Sequence, residues 1–561
     1  MRITVKLLAA CMALLTHPLC ARAAEDAAPA MAVRIHQYAE VRRLAGDYLG
    51  RLLPDYHLGL ADTWLANALH TGGIEGIDQN SSIYFLAVQP PAAGTPPAWT
   101  VVVPLQSPSM HLDALRANLG QESSTDGDSF IFKLRPQPEA GEPGGELHLL
   151  LTDRYSVLSR TAESARRATA MIENEKLPPL FCSSNEPGIQ MRLSGQFIAA
   201  RHDAFYGIIY RMMLMGSAAF GSINAAGYAE FYTKAALEFA ESCEYLSIDF
   251  RPDPEIMTVR ITIRPKPGSL MSRFLSAQKP MKPSLLKLIP GDPVFAAEGR
   301  AESLGELQEA FPAAVRRMFG LLPTRLSFSD AAGKRAGERI AAFNAAFTGH
   351  AAAALVQPPR DSFGVDYLRI YELKDAALAR EYFVKSTESR ATIGETVTAL
   401  PEEEHGGRTI AAYEVSAPPA MLKNGGDRQP ATIRAAVTDK YMLIASGMHS
   451  KENICRLIDA AAQPPQSPAA KSPHFCKAMA EAPENPAGVA YFSITSFLNW
   501  ANRSGVPGTE NLPVPEPGDG IAAWFVPADA GFVVQLRFPA AELAELRAAL
   551  FGNTALLDLP L

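Results

Sequence analysis

Three clusters in this sequence have residue types that can do chemistry. Ser284 and Lys287 have the Ser-x-x-Lys spacing, in which a lysine helps a serine become an acylated nucleophile. That chemistry also needs Ser-Asp-Asn and Lys-Thr-Gly motifs, which the sequence lacks, and a second match at Ser276 and Lys279 shows how readily the spacing arises. Ser284 therefore reads as the start of a helical turn. Glu402, Glu403, Glu404 and His405 offer metal-ligating groups, yet adjacent residues do not converge on one ion from a strand or a helix. With Gly406 and Gly407 following, they read as a solvated loop. Asp153 and Asp439 have the types of paired acids, but each falls in a Thr-Asp-basic-Tyr segment between apolar runs, where Asp suits a tight reversal. There is no Gly-x-Ser-x-Gly elbow, no His-Glu-x-x-His and no Cys-x-x-Cys, so no catalytic residue, metal site or cofactor is assigned.

The cysteines and one apolar helix carry more signal. Residues 1–23 read as an export signal: Arg2 and Lys6, the apolar run Leu7–Leu15, then Ala21-Arg22-Ala23 as a cleavage site. Cys11 and Cys20 would leave with it, and the run is too short to remain as a membrane anchor. A lipid-anchored Cys20 fits less well, because His17-Pro18-Leu19 precedes it. Cys182, Cys243, Cys455 and Cys476 remain. An even number in an oxidising compartment favours two disulfides, with three possible connectivities, of which Cys182–Cys243 and Cys455–Cys476 are expected. Such bridges would add roughly 3–4 kcal/mol each. In Phe205–Phe220, Ile208, Met212 and Met215 fall on one helical face. A Met-rich face suits an adaptable apolar ligand, although buried methionines more often fill a core.

These groups hang on a repeat. Glu146–Ile172 gives an apolar strand, the turn Thr152–Tyr155, a second strand and a charged helix, and the same succession recurs around Thr438–Tyr441 and ends at Ala460. Phe181-Cys182 and the run Gly188–Phe197 are echoed by Phe475-Cys476 and Gly488–Phe497, each expected as a strand. Both copies close on a strand pair and a proline, Pro265 or Pro539, before a short helix. Copy starts at Leu52-Leu53-Pro54 and Leu288-Ile289-Pro290 place the boundary at Lys279–Ser284. The expected organisation is a signal (1–23), a leader and helix (24–50, helical from Val33), and two repeats (51–280 and 281–561). The first repeat has inserted Met-rich helices, and the second has long helices over Ser303–Phe319 and Ala331–Val356. The short turns join antiparallel neighbours, and no Gly-rich phosphate loop follows a strand. The fold class is therefore α+β, with two related halves, each an antiparallel sheet covered by helices on one face.

The chain has 561 residues, 47% of them hydrophobic, which is enough for about three or four average domains, or two large ones, with substantial cores. Removing residues 1–23 takes away three basic residues and no acid, moving the formal charge from −7 to −10. A mildly acidic exported protein is a poor fit to nucleic acid. The Leu-Ile-Pro-Gly-Asp start (288–292), the Thr-Asp-Lys-Tyr hairpin (438–441), Phe492-Ser-Ile-Thr-Ser-Phe497 and the Pro539-terminated last strand resemble a family of exported bacterial proteins of unassigned function with two related halves. The resemblance spans most of 45–552 and is clearer in the second half. It implies export and a duplicated α+β fold, and it brings no catalytic residues. The expectation is a non-enzymatic envelope protein, exported to the periplasm or beyond, that binds or scaffolds an unidentified envelope partner. A carrier of a lipid or other apolar ligand is the first alternative and an envelope hydrolase the second.

Overall fold

A computed structural model describes residues 29–52, 59–87, 99–126, 129–134, 145–174, 176–177, 180–181, 185–219, 225–276, 278–300, 338–339, 341–356, 366–388, 396–416, 431–463, 473–480, 482–503, 518–528 and 531–551. The export signal with Cys11 and Cys20, the segment Ser303–Phe319 and Cys182 lie outside these residues. The chain divides into two compact units, Met1–Met271 and Ser272–Leu561, a division just ahead of Lys279–Ser284. Both mix helices with antiparallel strands, the α+β class.

The described strands of the first unit are β1 (Met31–His36), β2 (Ser82–Ala87), β3 (Trp99–Pro104), β4 (Ser124–Asp126), β5 (Ser129–Leu134), β6 (Gly145–Leu151), β7 (Tyr155–Ser159), β8 (Gly188–Ser194), β9 (Cys243–Pro252) and β10 (Ile256–Pro265). Their order across the sheet is β4-β5-β6-β7-β3-β2-β1-β8-β9-β10, all antiparallel. The second unit has β11 (Pro293–Arg300), β12 (Phe347–Val356), β13 (Asp366–Leu373), β14 (Thr396–His405), β15 (Arg408–Ser416), β16 (Ala431–Val437), β17 (Tyr441–Ser446), β18 (Gly488–Phe492), β19 (Ile521–Ala528) and β20 (Gly531–Pro539). Within that unit the order is β14-β15-β16-β17-β13-β12-β11-β18-β19-β20, again antiparallel. Strand for strand, the two orders are the same.

Neighbouring residues of a strand face opposite sides of its sheet. In the first unit Val33, Phe85, Val101 and Leu149 face a core closed by Leu65, Leu115, Phe197 and Leu237 from four helices. Their neighbours Ala32, Leu86, Val102 and Val157 pack instead with Ala165 and Ala168 of helix Ala162–Glu173. In the second unit Leu368, Ile370 and Leu443 meet Ile454 and Leu457 of helix Ser450–Ala462. On the other side Phe347, Val437 and Met442 meet Ala379 and Phe383 of helix Ala376–Glu388. Helices thus cover both faces of each sheet, not one as expected. The signal was present: a strand buried on both sides reads as a continuous apolar run rather than an alternation, as in Val101-Val102-Val103.

Three element expectations are corrected. The helix expected from Val33 begins only at Tyr38; Met31–His36 is a central strand between β2 and β8, and Gln37, at φ 56°, turns the chain between strand and helix. The expected helix Ala331–Val356 gives way at Phe347 to β12, whose four consecutive alanines are paired on both sides. Ladder bonds to two neighbours outweigh alanine's helix propensity, worth at most about 0.7 kcal/mol per residue against ordinary residues. The strand expected over Gly188–Phe197 stops at Ser194, whose Oγ accepts the Phe197 N–H at 3.0 Å and starts helix Gly195–Ala200. Gly488–Phe497 breaks in the same way, with Ser493 Oγ accepting the Ser496 N–H at 3.1 Å. Gly195 is required at the first junction, because a Cβ there would strike the Cys243 backbone carbonyl.

Candidate functional site

The residues singled out for chemistry do not assemble into one site. Ser284 and Lys287 are both exposed, at the start of and within the short 3₁₀ turn Leu285–Leu288. Glu402 to His405 are the end of β14, not a solvated loop, and alternate between its faces; Gly406 and Gly407, at φ 57° and 70°, make the hairpin turn. Glu403 binds Lys451 at 2.8 Å and Arg434 at 3.2 Å, and the Lys451 bond holds its carboxyl below the usual range. His405 pairs with Asp459 at 2.8 Å.

The tips at Asp153 and Asp439 are turns, but threonine rather than aspartate holds them. Thr152 Oγ1 accepts the Tyr155 N–H at 2.9 Å and donates to the Tyr155 carbonyl at 3.1 Å. Thr438 and Tyr441 repeat both distances. Asp153 is exposed, and Asp439 is clasped by Arg408 through bonds of 2.9 and 2.8 Å.

The Cys455–Cys476 bridge is not formed: Cys455 packs beside the core on helix Ser450–Ala462, whereas on helix Pro473–Ala480 Phe475 and Ala478 turn inward and Cys476 outward. Cys243 is a buried thiol that donates to the Phe239 carbonyl at 3.4 Å, and burial pushes it up to about 11. Its expected partner Cys182 lies outside the described residues. The side chains of Ile208, Met212 and Met215 also lie outside them, although their helix, His202–Ala219, is described, and its Phe205, Tyr206 and Ile209 pack on the first unit's core.

The most unusual chemistry lies elsewhere, on the face of the first sheet that carries Ala32. Across β1, β8, β9 and β10, one row reads Arg34, Gln190, Asp249, Arg260. Arg34 is 9% exposed and bonds only neutral groups, Ser82 Oγ at 3.1 Å and, weakly, Gln190 Oε1 at 3.5 Å. Arg260 has its Nε buried without an acceptor. Two residues along β8 from Gln190, Arg192 lies 3.9 Å from the Tyr245 ring centroid and donates to the Leu180 carbonyl at 3.3 Å. Arg264 approaches the same ring at 5.6 Å. Burial pulls the Arg192 guanidinium below its ordinary value, opposed by Tyr245 and Glu244 and reinforced by Arg264. Asp249 is taken up by Arg251 at 2.8 Å, and Arg264 by Glu244 at 3.0 Å. Among the described residues, Arg34, Arg192 and Arg260 therefore have no carboxylate partner. His36, bonded to Ser82 at 2.9 Å, is lowered by burial and then by Arg34.

The second sheet treats the same place differently. Ser194 N–H donates to the Ala30 carbonyl and Ser493 N–H to the Val294 carbonyl, both at 2.9 Å, so Glu298 stands where Arg34 stands in the first sheet. Glu298 is 2% exposed and accepts backbone N–H bonds from Ser284, Leu285 and Leu286 at 2.7, 3.0 and 3.0 Å. It also bonds His350 Nε2 at 2.7 Å, and Glu372 lies 3.6 Å beyond on Nδ1. The rest of its row is Val489, the buried Trp524 and Gln535. Other buried acids do similar work. Glu542 accepts the Thr495 N–H at 3.0 Å, and burial raises its pKa. Asp366 accepts the His449 N–H at 3.1 Å beside helix Ser450–Ala462.

Sequence reasoning missed Arg34, Gln190, Asp249, Arg260, Glu298 and Glu542. A faint signal existed, since a single charge sits among small apolar residues in Ala-Val-Arg-Ile (32–35) and Ala-Ala-Glu-Gly (296–299), but which face it points to depends on register. Among the described residues no group of His, Cys, Asp and Glu is arranged to hold a metal, and no helix is long and apolar enough to cross a membrane. No family model, curated protein or solved structure matches the chain.

Proposed function

We propose that this chain is an exported envelope protein that acts as a binding or scaffold module, built from two related α+β halves that arose by duplication. The observation that carries the duplication is the common strand order, supported by the hairpin bonds of Thr152 and Thr438. A binding role is supported by how charge is used. Glu298, Asp366 and Glu542 are spent on backbone N–H groups, which is structural work, while Arg34, Arg192 and Arg260 keep cationic groups that no carboxylate among the described residues neutralises.

Native mass spectrometry of the mature protein, taken from the envelope fraction without detergent, tests this reading. A co-purifying partner or small anion at stoichiometric occupancy is expected. A mass in the lipid range, lost when Met212 and Met215 are replaced by Ser in a still-folded protein, would instead establish an apolar-ligand carrier. Finding the full-length chain in the cytosol with residues 1–23 attached would overturn the export part.

A further inference from the structure

We infer that the arginine-bearing face of β1, β8, β9 and β10 is a binding site for an oxyanion, a phosphate or carboxylate group. This deepens the proposed binding role and rests on it. The argument starts from the cost of burying charge. A guanidinium taken out of water is normally compensated by a carboxylate or by several well-aligned acceptors. Arg34 is nine-tenths buried and has a hydroxyl and one long amide contact. Arg260 keeps a buried Nε with no acceptor, and Arg192 has one carbonyl and a tyrosine ring. Asp249 is the carboxylate nearest in register to both Arg34 and Arg260, yet it is committed to Arg251, which also binds Glu186.

Counting the whole cluster gives five guanidiniums, Arg34, Arg192, Arg251, Arg260 and Arg264, against three carboxylates, Glu186, Asp249 and Glu244. The excess is positive. Strands lie about 4.8 Å apart and same-face residues roughly 7 Å apart along a strand, so Arg34 and Arg192 flank Gln190 within reach of one anion. The Gln190 amide adds a donor at the centre. Planar guanidiniums suit the paired oxygens of phosphate or carboxylate, and Tyr245 holds Arg192 flat from behind. The second sheet supplies an internal contrast. At the place of Arg34 it has Glu298, already satisfied, and the rest of that row, Val489, Trp524 and Gln535, has no charged residue.

The test uses the full mature chain and inorganic phosphate as the probe, titrated against chloride at equal ionic strength. Expected is saturable binding, with the unfolding midpoint raised by roughly 3–6 °C at ten times Kd. Arg192→Gln and Arg260→Gln should each weaken binding by roughly 10- to 100-fold. In phosphate-free buffer Arg260→Gln should unfold at or above the wild-type midpoint, because it removes a cation without a carboxylate partner, whereas Arg192→Gln also gives up the Tyr245 ring and the Leu180 carbonyl. Vesicles of phosphatidylglycerol, compared with phosphatidylcholine, separate the sources: retention on the anionic vesicles alone means a lipid headgroup, and phosphate binding without retention means a free anion. The inference is overturned by the absence of both, by phosphate binding that survives the two substitutions together, or by an Arg260→Gln variant that unfolds well below wild type without phosphate.

Discussion

Arg34 and Glu298 stand at the same place in two sheets of the same strand order, and they use charge in opposite ways. Glu298 is closed off: three backbone N–H groups and His350 fill its oxygens, and it starts the turn Leu285–Leu288. Arg34 is left open, with neutral neighbours and two further unneutralised arginines on its face. A position that a fold keeps charged twice is one the sheet can support with either sign. Which sign it has, and whether its bonds are met internally, then separates a structural use from a binding one. The apolar Val489 and Trp524 beside Glu298 fit the structural use, and the Gln190 amide beside Arg34, with a donor to offer, fits the other.

The largest expected effect tests that contrast directly. Glu298→Ala leaves three backbone donors and His350 without their acceptor inside the second unit. It should cost about 3–5 kcal/mol, the range for breaking a buried charged network. Urea denaturation gives the total, and hydrogen exchange of residues 284–300 locates it. Arg34→Met should cost far less, since an apolar side chain of similar length removes a charge that has only neutral partners. If the two substitutions proved equally damaging, Arg34 would be structural too and the contrast would fail.

How far this was legible in the sequence differs along the chain. The hairpins announced themselves, because Thr-Asp-basic-Tyr and its flanking apolar strands are local signals and the bonds that make the turn span three residues. The same holds for the closing pairs β9–β10 and β19–β20, whose paired strands are only a few residues apart in the chain. β12 was hidden because its Ala-rich run has a helix's composition and only its two neighbours make it a strand. The Arg34 row was hidden for a related reason: Arg34, Gln190, Asp249 and Arg260 are brought together only by the register of four strands from distant parts of the chain.

A second difference between the units should appear as pH dependence. The backbone N–H of His111 donates to the Ser107 carbonyl at 3.2 Å, and that of Ala379 to the Asp375 carbonyl at 3.0 Å, so the buried imidazole of one unit stands where the other has a methyl group. Burial pulls His111 from 6.5 down to about 4, and its Nε2 bonds Ser156 at 3.1 Å. A base with a depressed folded pKa binds fewer protons folded than unfolded. Its contribution is therefore fully present above pH 6.5 and is lost as pH falls through that value towards 4, by about 3 kcal/mol in all. Exchange protection in the first unit, corrected for intrinsic rates, should fall over this window. His111→Gln should flatten that fall by removing its titration. A decline of equal size in the variant would assign the acid sensitivity to other groups.

The smallest effect asks how alike the two units are where they look most alike. Thr152→Val and Thr438→Val keep shape and remove the hydroxyl that accepts from the following Tyr N–H, so each should cost about 1 kcal/mol. The sites share no partner, and the double variant should show the sum to within about 0.5 kcal/mol. Equal losses would mean that the hydroxyl sets the turn whether or not the aspartate beside it is clasped. Arg408 clasps Asp439 in the second unit, whereas Asp153 has no such clasp. A markedly smaller loss at Thr438 would mean that the Arg408 clasp holds the tip after the hydroxyl is gone, and the likeness of the hairpins would then be one of shape maintained by different bonds.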